Sequence, residues 1–281
     1  MTASFVSLHQ LSELWIHTGT ACNLECPFCL EGSRPGDNRL ERIKLNEIKP
    51  YLDAAVQLGV QRFGFTGGEP LIVKDIVRIL EYALSLKPCL ILSNGTAPLL
   101  KRVHQLQQLK AQPHPLSFRI SIDYPDERRH DTARGWGNFA RAIEGLQLLH
   151  AQGFAISVAR QMDTDENAAD VDETYRQLLR KAKLPEDIRV VPLPELGKLG
   201  TESHIEPSPA STDAQHLMCS YSRMLLKRCG QLRVYSCAFT DDDERFDLGG
   251  SLQDAVKQPA CLQHQRCRQC VRFAASYSEA G

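Results

Sequence analysis

Two stretches decide the fold. The first is Cys22-Asn-Leu-Glu-Cys26-Pro-Phe-Cys29, spaced C-x3-C-x2-C; the second, downstream, is Thr66-Gly67-Gly68-Glu69-Pro70. Three thiolates on one short loop can hold three corners of a cubane cluster and leave one iron open to a reactant. A zinc knuckle completed by a fourth ligand from elsewhere fits the spacing of the cysteines taken alone. In the second stretch, glycines let backbone groups approach a ligand closely, and Glu69 can accept from an ammonium group.

Outward from these motifs the chain alternates strand and helix. Residues 11–17 read as a strand that ends just before the cysteine loop, and residues 62–66 as a strand that ends in the Gly-Gly turn. Between them, Leu45, Ile48, Leu52, Ala55 and Val56 recur at helical spacing, with Gly59 as the stop. Asp75 caps a helix with the apolar face Ile76, Ile79, Leu80, Ala83 and Leu84. Further strands are expected at 89–92, 116–122, 154–159 and 188–191, with helices from about residue 97 and over 138–152 and 171–183. Such a series predicts an α/β fold: a partial (β/α)6 TIM-like barrel, too short to close with eight strands, with function at the carboxyl ends of its strands.

Composition narrows the chemistry. The 281 residues carry 33 basic and 34 acidic side chains, a formal charge of −1, which speaks against a broad nucleic-acid or membrane footprint. Residues 1–10 show no basic segment leading into an apolar one, and no apolar run is long enough to cross a bilayer, so a cytoplasmic protein is expected. Ten cysteines in that compartment point to metal ligation or catalysis rather than disulfides. Cys89, inside an apolar run, reads as a small buried hydrophobe.

The remaining cysteines gather at the back of the chain. A stretch rich in Pro, Gly, Ser and Thr at 192–211 reads as a linker from a barrel domain, 1–195, to a small cysteine-rich hairpin and helix module, 212–281. Two strands flank the Cys229-Gly230 turn, and pairing about it sets position 222 opposite Cys237. Cys219 then lies near the open end, while Cys229 sits at the tip, roughly 20 Å away at about 3.3 Å per residue. With the close pair Cys267 and Cys270, a four-thiolate site of Cys219, Cys237, Cys267 and Cys270 follows, with Cys261 in reserve. On spacing alone it suits zinc as well as iron–sulfur. The acidic run 241–244 reads as a solvated loop.

In order and residue for residue, the two N-terminal motifs resemble the radical S-adenosylmethionine (SAM) superfamily, and the resemblance covers residues 11–191. It implies that Cys22, Cys26 and Cys29 ligate a [4Fe–4S] cluster whose open iron chelates SAM, with Gly67, Gly68, Glu69 and Pro70 cradling the methionine amine. It places Phe28 near the adenine, Asn94, Ser121 and Asp123 at ribose and carboxylate contacts, and Arg160 where it could pair with the SAM carboxylate. Cleavage of SAM would give methionine and a 5′-deoxyadenosyl radical that abstracts hydrogen from substrate. The C-terminal cysteines resemble twitch and SPASM extensions, in the shorter twitch-like form with one auxiliary [4Fe–4S] cluster.

The substrate is less legible. An auxiliary cluster in this superfamily often accepts an electron, making the net reaction an oxidation. With the first cluster cysteine at residue 22, no leader-binding domain precedes it, which favours a small-molecule biosynthetic intermediate over a ribosomal peptide. An electron donor such as flavodoxin or ferredoxin is implied. Two alternatives are a peptide maturase that forms cross-links and a non-catalytic scaffold with zinc in both sites. His17, Asp123, Tyr124 and Gln161 lie near strand ends and could face substrate.

Overall fold

A computed structural model of the chain describes residues 5–163, 166–194, 214–241, 243–273 and 275–278. Its strands are β1 (Phe5–Val6), β2 (Glu13–His17), β3 (Arg62–Thr66), β4 (Cys89–Ser93), β5 (Leu116–Ser121), β6 (Ala155–Gln161), β7 (Val190–Leu193), β8 (Ser222–Arg228), β9 (Gln231–Tyr235) and β10 (Ala260–Cys261). The helices α1 (Leu45–Gln57), α2 (Ile76–Leu86), α3 (Ala97–Gln108), α4 (Glu127–Arg134), α5 (Asn138–Ala151) and α6 (Ala168–Lys181) fall among the barrel strands. After them come α7 (Met218–Tyr221), α8 (Leu252–Ala255) and α9 (Gln265–Phe273).

One sheet of order β7-β6-β5-β4-β3-β2-β8-β9 carries the fold, and β1 pairs separately with β10. Every ladder from β7 to β8 is parallel, and only the β8–β9 hairpin is antiparallel. No ladder joins β7 to β9 among the described residues, so the sheet is an open, partial barrel. The expected six parallel strands, β2 to β7, are present, with helical crossovers in each of the five connections between them. The hairpin expected in a separate module is instead bonded edge to edge with β2, Glu13 facing Ser222. Most of the expected 192–211 linker, and with it the domain boundary, lies outside the described residues.

Strand side chains alternate between two cores, as a period of two requires. Leu14, Ile16, Phe63, Phe65, Phe118 and Ile120 face the helices; Trp15, Leu90, Met224 and Leu226 face the concave side, where the C-terminal segment packs. Full burial of each such side chain stabilises by about 1.5–3 kcal/mol. Gly64 is required by this interior: a Cβ there would stand 2.4 Å from the Trp15 ring.

Helix starts differ in detail from expectation. Asp75 precedes α2 but its side chain makes no capping bond, whereas Glu47 Oε2 accepts from the Lys44 N–H at 3.1 Å and closes the start of α1. The sequence reading missed α4. It starts at Asp126, whose carboxylate accepts from the Arg129 N–H at 2.8 Å, and stops at Gly135 with φ 95°. No helix among the described residues is long and apolar enough to cross a membrane. Cys89 is buried in β4.

Candidate active site

The loop after β2 lays Cys22, Cys26 and Cys29 over the carboxyl ends of the strands, where all three line a cavity of about 180 Å³. Its local form is set by backbone bonds. Cys29 N–H donates to Cys26 O at 3.1 Å, and Cys22 N–H donates to Arg34 O at 3.2 Å. The Gly67–Gly68 turn is stitched to the same loop, Gly68 N–H to Gly19 O at 2.9 Å and Glu69 N–H to Ala21 O at 3.0 Å. A Cβ on Gly68 would stand 2.2 Å from Ala21 O, and Gly67 has φ +133°. The glycines also line the cavity. Their tightest approach, expected toward a ligand, is to the backbone that carries Cys22.

Glu69 differs from expectation in the same way. It is 1% exposed and accepts from Leu71 N–H at 3.1 Å, Ser93 Oγ at 3.0 Å and Asn94 N–H at 2.8 Å. Three of the four acceptor positions of a carboxylate are therefore filled from within the protein. Burial outweighs these donors and pushes its pKa up to about 7. Neither Glu69 nor the buried Pro70 lines the cavity.

Burial also raises the thiols. Cys22 is pushed up to about 12, only partly offset by the Leu24 N–H at 3.4 Å from its Sγ; Cys26 and Cys29 are raised for the same first reason. Such thiols become ligands when a metal charge displaces the proton. Among the described residues, no three cysteine sulfurs lie within 4.8 Å of one another. A tetrahedral ion with Zn–S bonds of about 2.3 Å needs sulfurs about 3.8 Å apart. A cubane spreads its irons over several corners, so its thiolates stand wider apart. Thiols at this spacing suit a cluster.

Asn94, Ser121, Asp123, Arg160 and Phe28 all line the cavity. Asn94 binds the cysteine loop, its Nδ2 donating to Asn23 Oδ1 at 3.0 Å. Asp123 is paired with Arg134, whose Nη2 donates to Asp123 Oδ1 at 3.0 Å. Burial disfavours the Arg134 charge, but Asp123 and Cys26 outweigh it, and the guanidinium is held charged beside the cavity. Its carbon lies 5.7 Å from the Phe28 ring centroid. Arg160, expected to await a ligand carboxylate, is bound to Glu166 at 2.7 Å. Gln161 lines the cavity; His17 is fully buried, and Tyr124 lies under Arg129 at 3.7 Å from its ring centroid.

Among the cavity-lining residues that sequence reasoning missed are Arg134, Arg119 and Tyr277. Arg134 ends the overlooked α4. Arg119, in the middle of β5, donates from Nη1 to Tyr277 O at 2.7 Å, and Tyr277 itself is brought in by the C-terminal segment. A charge in the otherwise apolar run Phe118-Arg119-Ile120 was the legible signal for the second; nothing local marks Tyr277.

Cys219, Cys237, Cys267 and Cys270 line a second, smaller cavity together with Cys261. Burial pushes Cys237 up to about 11 and Cys267 up to about 12, and raises Cys219 and Cys270 as well. Cys229 is exposed at the hairpin tip, apart from this group. The acidic run is not simply solvated. Asp241 is 3% exposed and lies 3.6 Å from His17 Nε2; Asp242 lies outside the described residues.

Residues 16–178 match the sequence profile of the Radical SAM superfamily. A GTP 3′,8-cyclase of Bradyrhizobium diazoefficiens is 25% identical over 193 residues, 66% of this chain and 55% of that enzyme. The chain thus spans about half the length of the curated relatives it matches. In three dimensions it is similar to SuiB of Streptococcus suis bound to the precursor peptide SuiA, with TM-score 0.65 at 13% identity over 98% of this chain and 69% of that one. BtrN in complex with AdoMet and 2-DOIA gives TM-score 0.52 at 15% identity over 95% of this chain and 89% of that one. Likenesses at such identities show the fold.

Proposed function

The chain belongs to the radical SAM superfamily, whose members bind a [4Fe–4S] cluster and SAM, and from that premise we propose that it oxidises a small-molecule biosynthetic intermediate by hydrogen abstraction. Cys219, Cys237, Cys267 and Cys270 would hold a second iron–sulfur cluster, which would accept the electron that the substrate gives up. The observation that carries this reading is the convergence of five cysteines on a second cavity, at the open end of the β8–β9 hairpin that joins the sheet of the first site. Cys22, Cys26 and Cys29 would hold a cluster with one open iron, which would supply the electron that cleaves SAM and so the hydrogen-abstracting radical.

The chain's own residues do the rest. Gly67, Gly68 and Asn94 fix the cysteine loop. Glu69, buried behind the turn, holds the Leu71 and Asn94 backbone and the Ser93 hydroxyl in place beside the cavity. Phe28 offers a face to the adenine, and Ser121 at the end of β5 and Arg134 at the end of α4 line the same cavity, where SAM and substrate meet. A flavodoxin or ferredoxin delivers the electron.

The test is iron and zinc content after anaerobic reconstitution, then reductant-driven SAM cleavage on the same sample. About eight irons per chain with 5′-deoxyadenosine formed supports both clusters. About four irons with cleavage keeps the first site and removes the second. Zinc alone with no cleavage defeats the proposal. The alternative substrate, a ribosomal peptide, draws on the likeness to SuiB with its bound peptide. A short precursor peptide that is cross-linked under turnover would establish it.

A further inference from the structure

Between the two cysteine cavities lies a buried polar cluster. His17 Nε2 is 2.8 Å from Glu31 Oε2 and 3.6 Å from Asp241 Oδ2, and all three side chains are buried. Their three candidate ligand atoms lie within 4.8 Å of one another. A cation site is nonetheless a poor reading. Gly19 N–H donates to His17 Nδ1 at 3.2 Å, so the ring proton sits on Nε2 and points at Glu31. A metal-binding imidazole needs the opposite tautomer, with Nδ1–H donating outward. The cluster is a hydrogen-bonded clasp.

What it clasps is informative. His17 ends β2, Glu31 lies two residues after Cys29, and Asp241 lies four residues after Cys237. Alongside it, Arg266 of α9 is fully buried and spans the same gap. Its Nη2 donates to Leu30 O at 3.0 Å, next to Cys29. Its Nη1 donates to Phe239 O at 2.9 Å and lies 3.9 Å from Asp241 Oδ1. Arg266 also lines the second cavity and is the chain neighbour of Cys267. One guanidinium therefore connects the helix bearing Cys267 and Cys270 to the loop bearing Cys22, Cys26 and Cys29. Only a planar fork with several donors reaches acceptors in both directions; a lysine reaches one.

We propose that Arg266 is a positioning residue through which filling of the C-terminal cysteine cavity orders the SAM-binding cysteine loop. The helix α9 is nine residues long and holds two of the five thiols of that cavity. Ligands bridging Cys219 and Cys237 to Cys267 and Cys270 fix α9 against the hairpin, and Arg266 passes that placement to the Leu30 carbonyl. The inference rests on the reading of the C-terminal cavity as a cluster site.

The experiment compares reconstituted wild type, Arg266→Gln, Arg266→Lys and Cys270→Ala. The readouts are iron content, SAM affinity by equilibrium dialysis, amide hydrogen exchange over residues 22–34, and the change that SAM causes in the EPR signal of the reduced first cluster. Arg266→Gln keeps its iron but binds SAM about tenfold more weakly, the size expected of one lost charge-assisted hydrogen bond. Its loop exchanges faster and its SAM-induced EPR change is diminished, and Arg266→Lys recovers part of each. Cys270→Ala, which touches neither the loop nor SAM, loses about four irons and shows the same faster exchange. Should Arg266→Gln not fold, Cys270→Ala decides alone. SAM affinity within twofold of wild type and unchanged exchange in Arg266→Gln, or unchanged exchange in Cys270→Ala, overturns the coupling. A wild type that binds SAM but takes up no iron in the second cavity defeats the underlying reading, and is told apart by its iron count.

Discussion

Gly68→Ala tests whether the two N-terminal motifs form one mechanical unit. The added Cβ would stand 2.2 Å from Ala21 O, 2.6 Å from Ala21 C and 2.7 Å from Thr20 O, all backbone atoms that no rotamer can move. Ordinary contact begins near 3.4 Å, so the loop must retreat by about 1.2 Å. Ala21 precedes Cys22 directly, so that sulfur moves with it. The retreat also breaks the bonds from Gly68 N–H to Gly19 O and from Glu69 N–H to Ala21 O. Two buried backbone pairs left unmade cost about 2–6 kcal/mol, against a typical domain stability of about 5–15 kcal/mol. A displacement of about 1 Å at a reacting centre lowers rate by about a hundredfold. The assay is thermal melting, iron content and SAM cleavage on one anaerobic preparation. A variant that melts within a few degrees of wild type and cleaves SAM within twofold would refute the idea that the turn positions the cysteines.

Cys26→Ala should abolish SAM cleavage, measured as 5′-deoxyadenosine; residual cleavage near the wild-type rate would remove Cys26 from the ligand set. Cys267→Ala should lose about four irons while keeping some cleavage, whereas Cys229→Ala, exposed at the hairpin tip, should lose none. Iron lost from the second variant and not the first would invert the assignment of the C-terminal site. The buried Glu69, with its pKa raised to about 7 chiefly by burial, makes stability depend on pH. The folded protein holds this proton more tightly than the unfolded chain, so the contribution is complete below about 4.5 and is lost as pH rises through about 7. A shift of that size corresponds to about 3 kcal/mol. Melting of the metal-free protein from pH 4.5 to 7.5 should therefore fall more steeply for wild type than for Glu69→Gln, and parallel curves would count against the burial of an acid here.

The barrel was readable because each of its strands is a short apolar run between turn residues, and each helix shows a continuous apolar stripe. What escaped notice lacked that signature. Residues 127–134 contain Glu, Asp, His and three arginines, so no apolar face marks α4, although Asp126 and Gly135 supply its start and stop. The acidic run 241–244 looked solvated for the same compositional reason, yet Asp241 is buried because His17, Glu31 and Arg266 close around it from three distant segments. That Cys22, Cys26 and Cys29 share one cavity was legible from spacing, and that Cys219, Cys237, Cys267 and Cys270 share another from hairpin register plus the close pair on α9. The partners of Glu69 and Arg160 were not, since Ser93, Asn94 and Glu166 reach them only through the folded sheet and the loop after β6.

The sheet order explains why these unforeseen contacts gather around one loop. Strand β2 lies between β3, which ends in the Gly67–Gly68 turn, and β8, which opens the cysteine-bearing hairpin. The loop leaving β2 therefore has two flanks. On the β3 flank it is held by backbone bonds from Gly68 and Glu69 and, one strand further on, by the Asn94 side chain. On the β8 flank it is held by Arg266 at Leu30 and by the His17, Glu31 and Asp241 clasp. Removing the β3 flank displaces Cys22, at the start of the motif; removing the β8 flank loosens the chain at Cys29, at its end. Gly68→Ala and Arg266→Gln thus act on opposite ends of the same three-cysteine motif. Because each flank holds a different end of the loop, the double variant should bind SAM more weakly than either single variant, and any departure from additivity measures the coupling along the loop. A double variant no worse than Gly68→Ala alone would mean that the loop is set from the β3 side only.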